Sequence, residues 1–183
     1  MNKIFTIKNF LSEEECKFIL NKCLTELDLV VADVFGQTKN LRKSKVAGID
    51  NLDFLNQKLK DTLKINLPIN GHTVTNLSKF QFTQYEVGGY YDWHVDSSTE
   101  IFPERFYSAV IQLNDSYNGG DFEIIENNNT IELERGIGNL FLFPSNKLHR
   151  IKPIINGVRY SLVNWVGLEK NQNNLPYSKV SLI

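Results

Sequence analysis

The chain has 183 residues, of which 42% are hydrophobic and 22% are charged, and its formal net charge is -1. This length and composition suit one globular domain with a sizeable core, so we expect residues 1–183 to form a single domain. The nearly neutral charge argues against nucleic-acid and membrane partners, and without a membrane-spanning apolar run or a signal peptide the protein is expected to be cytoplasmic.

The first predicted element is a helix over residues 12–28. Ser12 can cap this helix and Glu15 can complete a capping box, while small and aliphatic residues recur at helical spacing from Cys16 onward. On such a helix Cys16 and Cys23 would lie too far apart for a disulfide. We therefore interpret both cysteines as apolar core residues.

Residues 33–48 are polar and basic and have no periodic pattern. We interpret them as a loop, which is either a solvated connection or a flap over a substrate. A second helix is predicted over residues 51–65, where leucines recur at helical spacing. About residues 1–70 are therefore predicted to form a helical support.

From about residue 73 the pattern changes to short apolar or alternating runs, separated by turns rich in asparagine and glycine. The predicted strands cover residues 74–86, 106–113, 122–125, 130–133, 139–143, 151–155 and 159–167. Helices first and many short strands afterwards predict a mainly β fold with N-terminal helices. We expect a jelly-roll core over about residues 73–170, braced by the helical support.

If the segment Trp93-His94-Val95-Asp96 is an extended strand, His94 and Asp96 point in the same direction because side chains alternate along an extended chain. His149 lies just before another predicted strand, and it joins them if the two strands are neighbours. Two histidines and one carboxylate leave open positions on an octahedral metal, which is the arrangement of nonheme Fe(II) oxygenases. The same three ligands can also hold zinc, as in a hydrolase.

Arg159 follows His149 across a predicted Asn156-Gly157 turn. A hairpin at this turn would bring the guanidinium near the metal ligands. Arginine binds a carboxylate through two parallel hydrogen bonds, and a buried arginine without a partner is costly. A buried Arg159 would therefore indicate an anionic ligand, whereas an exposed one would indicate only a surface ion pair.

Several segments resemble the prolyl 4-hydroxylase-like branch of the Fe(II)/2-oxoglutarate-dependent oxygenase family. QYEVGGYYDWHVD, residues 84–96, resembles the metal-binding strand of that branch. SAVIQLN, residues 108–114, resembles the strand that follows it. The closing block is similar to GNLFLFPS, HRIKP and GVRYSLVNW, which lie within residues 138–165. The resemblance covers about residues 76–167.

This resemblance implies a double-stranded β-helix, another name for the jelly roll. It implies His94, Asp96 and His149 as iron ligands and as the catalytic centre, and Arg159 as the anchor of the cosubstrate carboxylate. It also implies that the phenol of Tyr85 hydrogen-bonds the cosubstrate. The implied cofactor is Fe(II), the cosubstrates are 2-oxoglutarate and O2, and ascorbate is an optional reductant.

The resemblance further implies an enzyme that hydroxylates a prolyl residue of a peptide or protein. Arg105 matches a position that lines the substrate in some relatives, and we expect Arg105 and Trp165 to contact the substrate. One alternative is the same chemistry on a small molecule or free amino acid. Another is a non-catalytic, cupin-like binding barrel, which would have no need for the three metal ligands together with Arg159.

Overall fold

The computed structural model describes residues 3–32, 41–66 and 72–170. These ranges contain two helices, α1 (Glu13–Glu26) and α2 (Asp53–Asn66). The strands are β1 (Phe5–Ile7), β2 (Val30–Val31), β3 (Arg42–Lys43), β4 (Lys45–Ile49), β5 (His72–Leu77), β6 (Phe80–Tyr85), β7 (Tyr90–His94), β8 (Tyr107–Gln112), β9 (Tyr117–Gly119), β10 (Phe122–Glu126), β11 (Asn129–Glu132), β12 (Leu140–Pro144), β13 (His149–Ile151), β14 (Ile154–Gly157) and β15 (Arg159–Lys170). In the described ranges no helix is long and apolar enough to cross a membrane.

The first helix begins with the predicted capping box. The Glu15 backbone N–H donates to Ser12 Oγ at 3.1 Å, and the Ser12 backbone N–H donates to the Glu15 carboxylate at 2.8 Å. Each bond satisfies a donor that the helix geometry leaves free. Cys16 and Cys23 are buried free thiols on this helix, as predicted.

All strands except β9 and β14 form two antiparallel sheets that face each other. The major sheet has the order β1-β12-β8-β15-β6-β4-β2, with β5 also paired to β15. The minor sheet has the order β11-β10-β13-β7-β3, and β9 pairs with β14 separately. Phe122 of the minor sheet and Phe141 of the major sheet have ring centroids 5.5 Å apart. This arrangement, mainly β with two helices, confirms the predicted jelly roll.

The core has two layers because side chains alternate between the faces of the major sheet. One face packs against both helices, and this layer includes Ile19, Leu59, Phe82, Ile111 and Leu162. The other face packs against the minor sheet, and this layer includes Tyr85, Val110, Phe122, Ile124 and Phe141. A polar residue on the second face therefore points between the sheets.

The N-terminal part contributes strands as well as the expected helices. β1 pairs with β12, β4 pairs with β6, and β3 pairs with β7, so both sheets include this part of the chain. The predicted loop over residues 33–48 is wrong for residues 41–48, while residues 33–40 lie outside the described residues. β3 is an edge strand and β4 lies next to one, so basic side chains such as Lys43 and Lys45 are in contact with water. These polar residues interrupt the apolar alternation from which strands are predicted.

Two predicted strands are each divided in the structure. The run over residues 74–86 breaks between β5 and β6, where the Ser78 backbone N–H donates to the Trp165 carbonyl oxygen at 3.0 Å. The run over residues 151–155 breaks between β13 and β14 at Pro153, which has no backbone N–H to donate.

The Asn156-Gly157 pair is not the predicted hairpin turn. β14 pairs with β9 and β15 pairs with strands of the major sheet, so the chain crosses between sheets at this point. Gly157 has a φ of 78°, and a Cβ there would meet the Ser116 carbonyl oxygen at 2.7 Å. A glycine is needed for the crossing, which carries Arg159 into the major sheet.

Gly138→Ala is expected to lower the free energy of unfolding by at least about 2 kcal/mol. Gly138 has a φ of 74°, and an added Cβ would overlap the backbone carbonyl of Leu11. Leu11 N–H donates to the Gly138 carbonyl at 3.0 Å, so this contact holds the entry of α1 against the major sheet. Urea unfolding would measure the loss.

Gly48→Ala is the matched control for this prediction. Its added Cβ would meet only the flexible side chain of Lys79, at 3.2 Å, and its φ lies outside the left-handed region. We expect a change smaller than about 1 kcal/mol. Equal losses in the two variants would contradict the role assigned to Gly138.

Candidate metal and cosubstrate site

The three predicted metal ligands come together at the facing ends of two neighbouring strands. His94 ends β7 and His149 begins β13, and these residues are direct partners in the antiparallel ladder. Asp96 follows two residues after His94. One ligand atom from each of the three residues lies within 4.8 Å of the others. The two strands are therefore neighbours, which is the condition under which His149 joins His94 and Asp96, and the triad has the spacing of a metal-binding group.

Hydrogen bonds orient both imidazoles toward Asp96. Nδ1 of His94 lies 2.8 Å from the Asp92 carbonyl oxygen, and Nδ1 of His149 lies 2.8 Å from the Lys147 carbonyl oxygen. A carbonyl only accepts, so each Nδ1 carries a proton, and in the neutral form of such an imidazole Nε2 presents a lone pair. The two Nε2 atoms lie 3.6 and 3.7 Å from the Asp96 carboxylate oxygens.

The protonation states of the triad suit a divalent cation. Burial lowers the pKa of His149 to about 4, so this imidazole is neutral at neutral pH. Burial alone would raise the pKa of Asp96, but His149, His94 and the Ser108 hydroxyl together hold it well below its usual range. Asp96 is therefore ionised. Neutral imidazoles and an ionised carboxylate are the forms that bind metal ions.

The triad lines a cleft of about 370 Å³, part of which is open to solvent. Arg159 and Ser161 of β15 and Tyr85 of β6 line the same cleft, because they lie on the face of the major sheet that points toward the minor sheet. Val110 and Val163 form an apolar part of the cleft wall. The cleft therefore joins a candidate metal centre to a buried cation.

Arg159 is 1% exposed and is the largest of the fully buried side chains. Its Nη1 donates to Ser161 Oγ at 3.1 Å, whereas Nε and Nη2 have no hydrogen-bond partner among the described residues. Nε and Nη2 lie on one edge of the guanidinium and point the same way, which is the pair that binds a carboxylate side-on. A buried cation in this state fits an anionic ligand, so the site suits a 2-oxo acid beside the metal ligands.

Tyr85 is Arg159's direct partner across the β6–β15 ladder, and the guanidinium carbon lies 5.5 Å from its ring centroid. The predicted substrate residues lie elsewhere. Arg105 stacks between Phe102 and Trp165, with its guanidinium carbon 3.8 and 3.9 Å from the two ring centroids. Its Nη1 donates to the Asp96 carbonyl oxygen at 3.4 Å. Arg105 and Trp165 thus lie beside the triad and outside the lining of the cleft.

Three residues of the site were missed by sequence analysis. Tyr91 stacks on the His94 ring with centroids 3.4 Å apart, and Arg42 lies over Tyr91 at 4.6 Å. Ser108 Oγ donates to the Asp96 carboxylate at 2.6 Å. Ser108 could have been noticed as a hydroxyl within an otherwise apolar strand. No sequence pattern pointed to Arg42, because its edge strand is polar.

Comparison with known proteins places this site in a family. The model of the 2OG-Fe(II) oxygenase superfamily matches residues 80–167. A PKHD-type hydroxylase of Aliarcobacter butzleri is 28% identical over 184 residues, covering 89% of this chain and 77% of that protein. Over residues 80–167 the chain is similar to the 2OG-Fe(II) oxygenase superfamily. It is an Fe(II)- and 2-oxoglutarate-dependent dioxygenase, with O2 as its second cosubstrate, and it is prolyl 4-hydroxylase-like, as the motifs predict.

Two solved structures share the fold. A prolyl hydroxylase from Trichoplax adhaerens, in complex with a hypoxia inducible factor oxygen degradation domain peptide fragment, has a TM-score of 0.79 and 20% identity, covering 91% of this chain and 84% of that one. A Pseudomonas putida prolyl-4-hydroxylase has a TM-score of 0.75 and 21% identity, covering 91% and 93%. At these identities the likeness establishes the double-stranded β-helix alone.

Proposed function

We propose that this dioxygenase hydroxylates a prolyl residue of a peptide or protein, with Fe(II) held by His94, Asp96 and His149 and 2-oxoglutarate anchored by Arg159. The observation that carries the assignment is the buried guanidinium of Arg159, whose Nε and Nη2 donors have no hydrogen-bond partner among the described residues and which lines the cleft of the triad. A zinc hydrolase or a passive barrel would not need this cation beside the three ligands.

The residues of the chain have separate tasks in this proposal. The two Nε2 atoms and the Asp96 carboxylate would hold the metal, and three protein ligands would leave further positions for the cosubstrate. Arg159 fixes the far carboxylate of the cosubstrate, and Tyr85 lies beside it as a second polar contact. Bound Fe(II) with 2-oxoglutarate and O2 supplies the oxidation that converts a C–H bond into C–OH while 2-oxoglutarate becomes succinate and CO2.

The prolyl substrate is supported by the relatives and by the surface beside the triad. The Trichoplax adhaerens protein with a similar fold is a prolyl hydroxylase in complex with a peptide fragment. In this chain Phe102 is 40% exposed and packs on Arg105, which packs in turn on Trp165. A half-exposed aromatic surface suits a proline ring, and the guanidinium can donate to a peptide carbonyl.

Succinate release against matched pools tests the substrate assignment. We expect proline-containing peptides to increase Fe(II)-dependent succinate release and to gain one oxygen atom by mass spectrometry. The same peptides with alanine in place of proline should do neither. Stimulation by free amino acids and not by peptides would instead support the small-molecule alternative.

The cytoplasmic location and the absence of a nucleic-acid partner stay predictions.

Arg105→Gln is expected to raise the KM for a prolyl peptide about tenfold while leaving 2-oxoglutarate affinity unchanged. The substitution removes a cation that stacks beside Asp96 but does not line the cosubstrate cleft. One lost charge-assisted hydrogen bond is worth roughly 1.5–3 kcal/mol. Steady-state kinetics with each substrate varied in turn would separate the two parameters. A change confined to the 2-oxoglutarate KM would contradict the peptide-binding role.

A further inference from the structure

We infer that Ser108 and Ser145 form a hydroxyl relay that holds the Asp96 carboxylate in one orientation for the metal. Ser108 and Ser145 would then be positioning residues, acting on the metal only through Asp96. The inference rests on the proposed metal centre and assigns it two residues that are neither ligands nor part of the cleft lining.

The contacts form an unbroken chain between three side chains. Ser108 Oγ lies 2.6 Å from Oδ2 of Asp96 and 2.9 Å from Oγ of Ser145. Both serines are 0% exposed, so water does not compete for these hydroxyls. A hydroxyl-to-carboxylate bond of this length is charge-assisted and stronger than a bond between neutral groups.

The direction of donation in the chain follows from the charge of Asp96. An ionised carboxylate only accepts, so Ser108 must give its single hydroxyl proton to Oδ2. Ser108 then has only lone pairs left for Ser145, and Ser145 must be the donor of the second bond. The proton of Ser145 strengthens the donor character of Ser108, because hydrogen bonds in a chain polarise one another.

Ser145 also fixes the backbone beside the carboxylate. Its carbonyl oxygen accepts from the backbone N–H of Asp96 at 2.8 Å and from that of Ser97 at 3.1 Å. These two bonds survive a change of the Ser145 side chain. A Ser145→Ala variant therefore removes the hydroxyl link and leaves the main-chain link in place.

The relay has a consequence for the number of open metal positions. Ser108 occupies a lone pair of Oδ2, which leaves Oδ1 as the better donor to a cation. With one carboxylate oxygen as ligand, the triad would hold an ion through three protein atoms and leave further positions for a cosubstrate.

Titration of the full-length protein with Mn(II), without cosubstrate, tests the relay. Ser108→Ala is expected to raise the Mn(II) Kd at least about tenfold, the range seen when a contact behind a metal ligand is lost. Ser145→Ala should raise it by less, about two- to tenfold. Ser161→Ala is the matched control, because this buried serine contacts Arg159 and not Asp96, and its Mn(II) Kd should equal that of the wild type.

The double variant Ser108→Ala/Ser145→Ala distinguishes a relay from two independent effects. Because the Ser145 hydroxyl reaches Asp96 only through Ser108, the double variant should bind Mn(II) as tightly as Ser108→Ala alone. Additive losses would overturn the relay, as would a Mn(II) Kd within twofold of the wild type in both single variants. A wild-type protein that bound no Mn(II) would overturn the metal centre itself and this inference with it. Should Ser108→Ala fail to fold, Ser145→Ala measured against Ser161→Ala still decides the outcome.

Discussion

Replacing His94 with alanine is expected to lower the affinity for Fe(II) at least about 100-fold and to abolish Fe(II)-dependent succinate formation. Contacts behind a metal ligand are worth about 10- to 100-fold in affinity, so loss of a ligand should cost more. The variant removes one of the two Nε2 atoms that face Asp96. Metal titration and succinate release, measured on the same preparation, would test both parts.

His72→Ala is the matched control for this variant, since His72 is the remaining histidine of the chain. It lies in β5, a strand of the major sheet that pairs with β15, whereas His94 belongs to the minor sheet. We expect its Fe(II) affinity to match that of the wild type. Wild-type metal affinity in His94→Ala, or an equal loss in His72→Ala, would exclude the proposed triad.

Arg159→Gln is expected to weaken 2-oxoglutarate binding by about 2–5 kcal/mol, which is roughly 30-fold or more in Kd. The variant keeps a polar side chain but removes the charge and the two parallel donors Nε and Nη2 that have no partner in the described structure. Isothermal titration with 2-oxoglutarate in the presence of Mn(II) would measure the loss. Mn(II) affinity itself should stay unchanged, because Arg159 is not a ligand.

A lysine variant separates the effect of the charge of Arg159 from that of its planar shape. Arg159→Lys keeps the charge but loses the planar fork, so its 2-oxoglutarate affinity should fall between those of Arg159→Gln and the wild type.

Without 2-oxoglutarate, Arg159→Gln should be at least as stable as the wild type, since it removes a buried charge that has no carboxylate partner among the described residues. A large loss of stability in thermal unfolding would instead indicate that Arg159 holds the fold together.

The direction of the metal ligands could be predicted from sequence because it depends on a local rule. His94 and Asp96 are two residues apart, and side chains two apart on an extended chain share a direction. In the structure β7 ends at His94 and Asp96 lies in the bend that follows, so the strand rule does not itself place Asp96. The pairing of His149 with His94 is a tertiary fact that strand periodicity cannot supply. Only the resemblance to a known family connected these two distant segments before the structure did.

The route by which Arg159 reaches the cleft shows where local rules fail. An Asn-Gly pair between two β-like runs is a strong hairpin signal, and the sequence predicts one at Asn156-Gly157. In the structure the two strands belong to different sheets, and Gly157 serves a crossing. The guanidinium of Arg159 nevertheless lies near the three candidate ligands, because Arg159 begins β15, a strand of the major sheet whose inner face lines the cleft.

Ser108 and Arg42 were missed by sequence analysis for different reasons. Ser108 reaches Asp96 from a different strand, and a hydroxyl within an apolar run has no preferred partner until the strands are ordered. Arg42 lies on an edge strand, where polar side chains are solvated and hydrophobic alternation disappears. The candidate ligands could be proposed from sequence because two histidines and an aspartate form a recognisable metal-binding set, whereas the residues beside them are of ordinary types.

The most direct test of the central claim is the binding of 2-oxoglutarate to the purified chain, titrated with and without Mn(II) in place of Fe(II). The account predicts one 2-oxoglutarate per chain, bound tightly only when the metal is present and weakened in both His94→Ala and Arg159→Gln. Binding that is absent with the metal, or that is equally strong after the metal has been removed by a chelator, would contradict a shared site formed by the triad and Arg159.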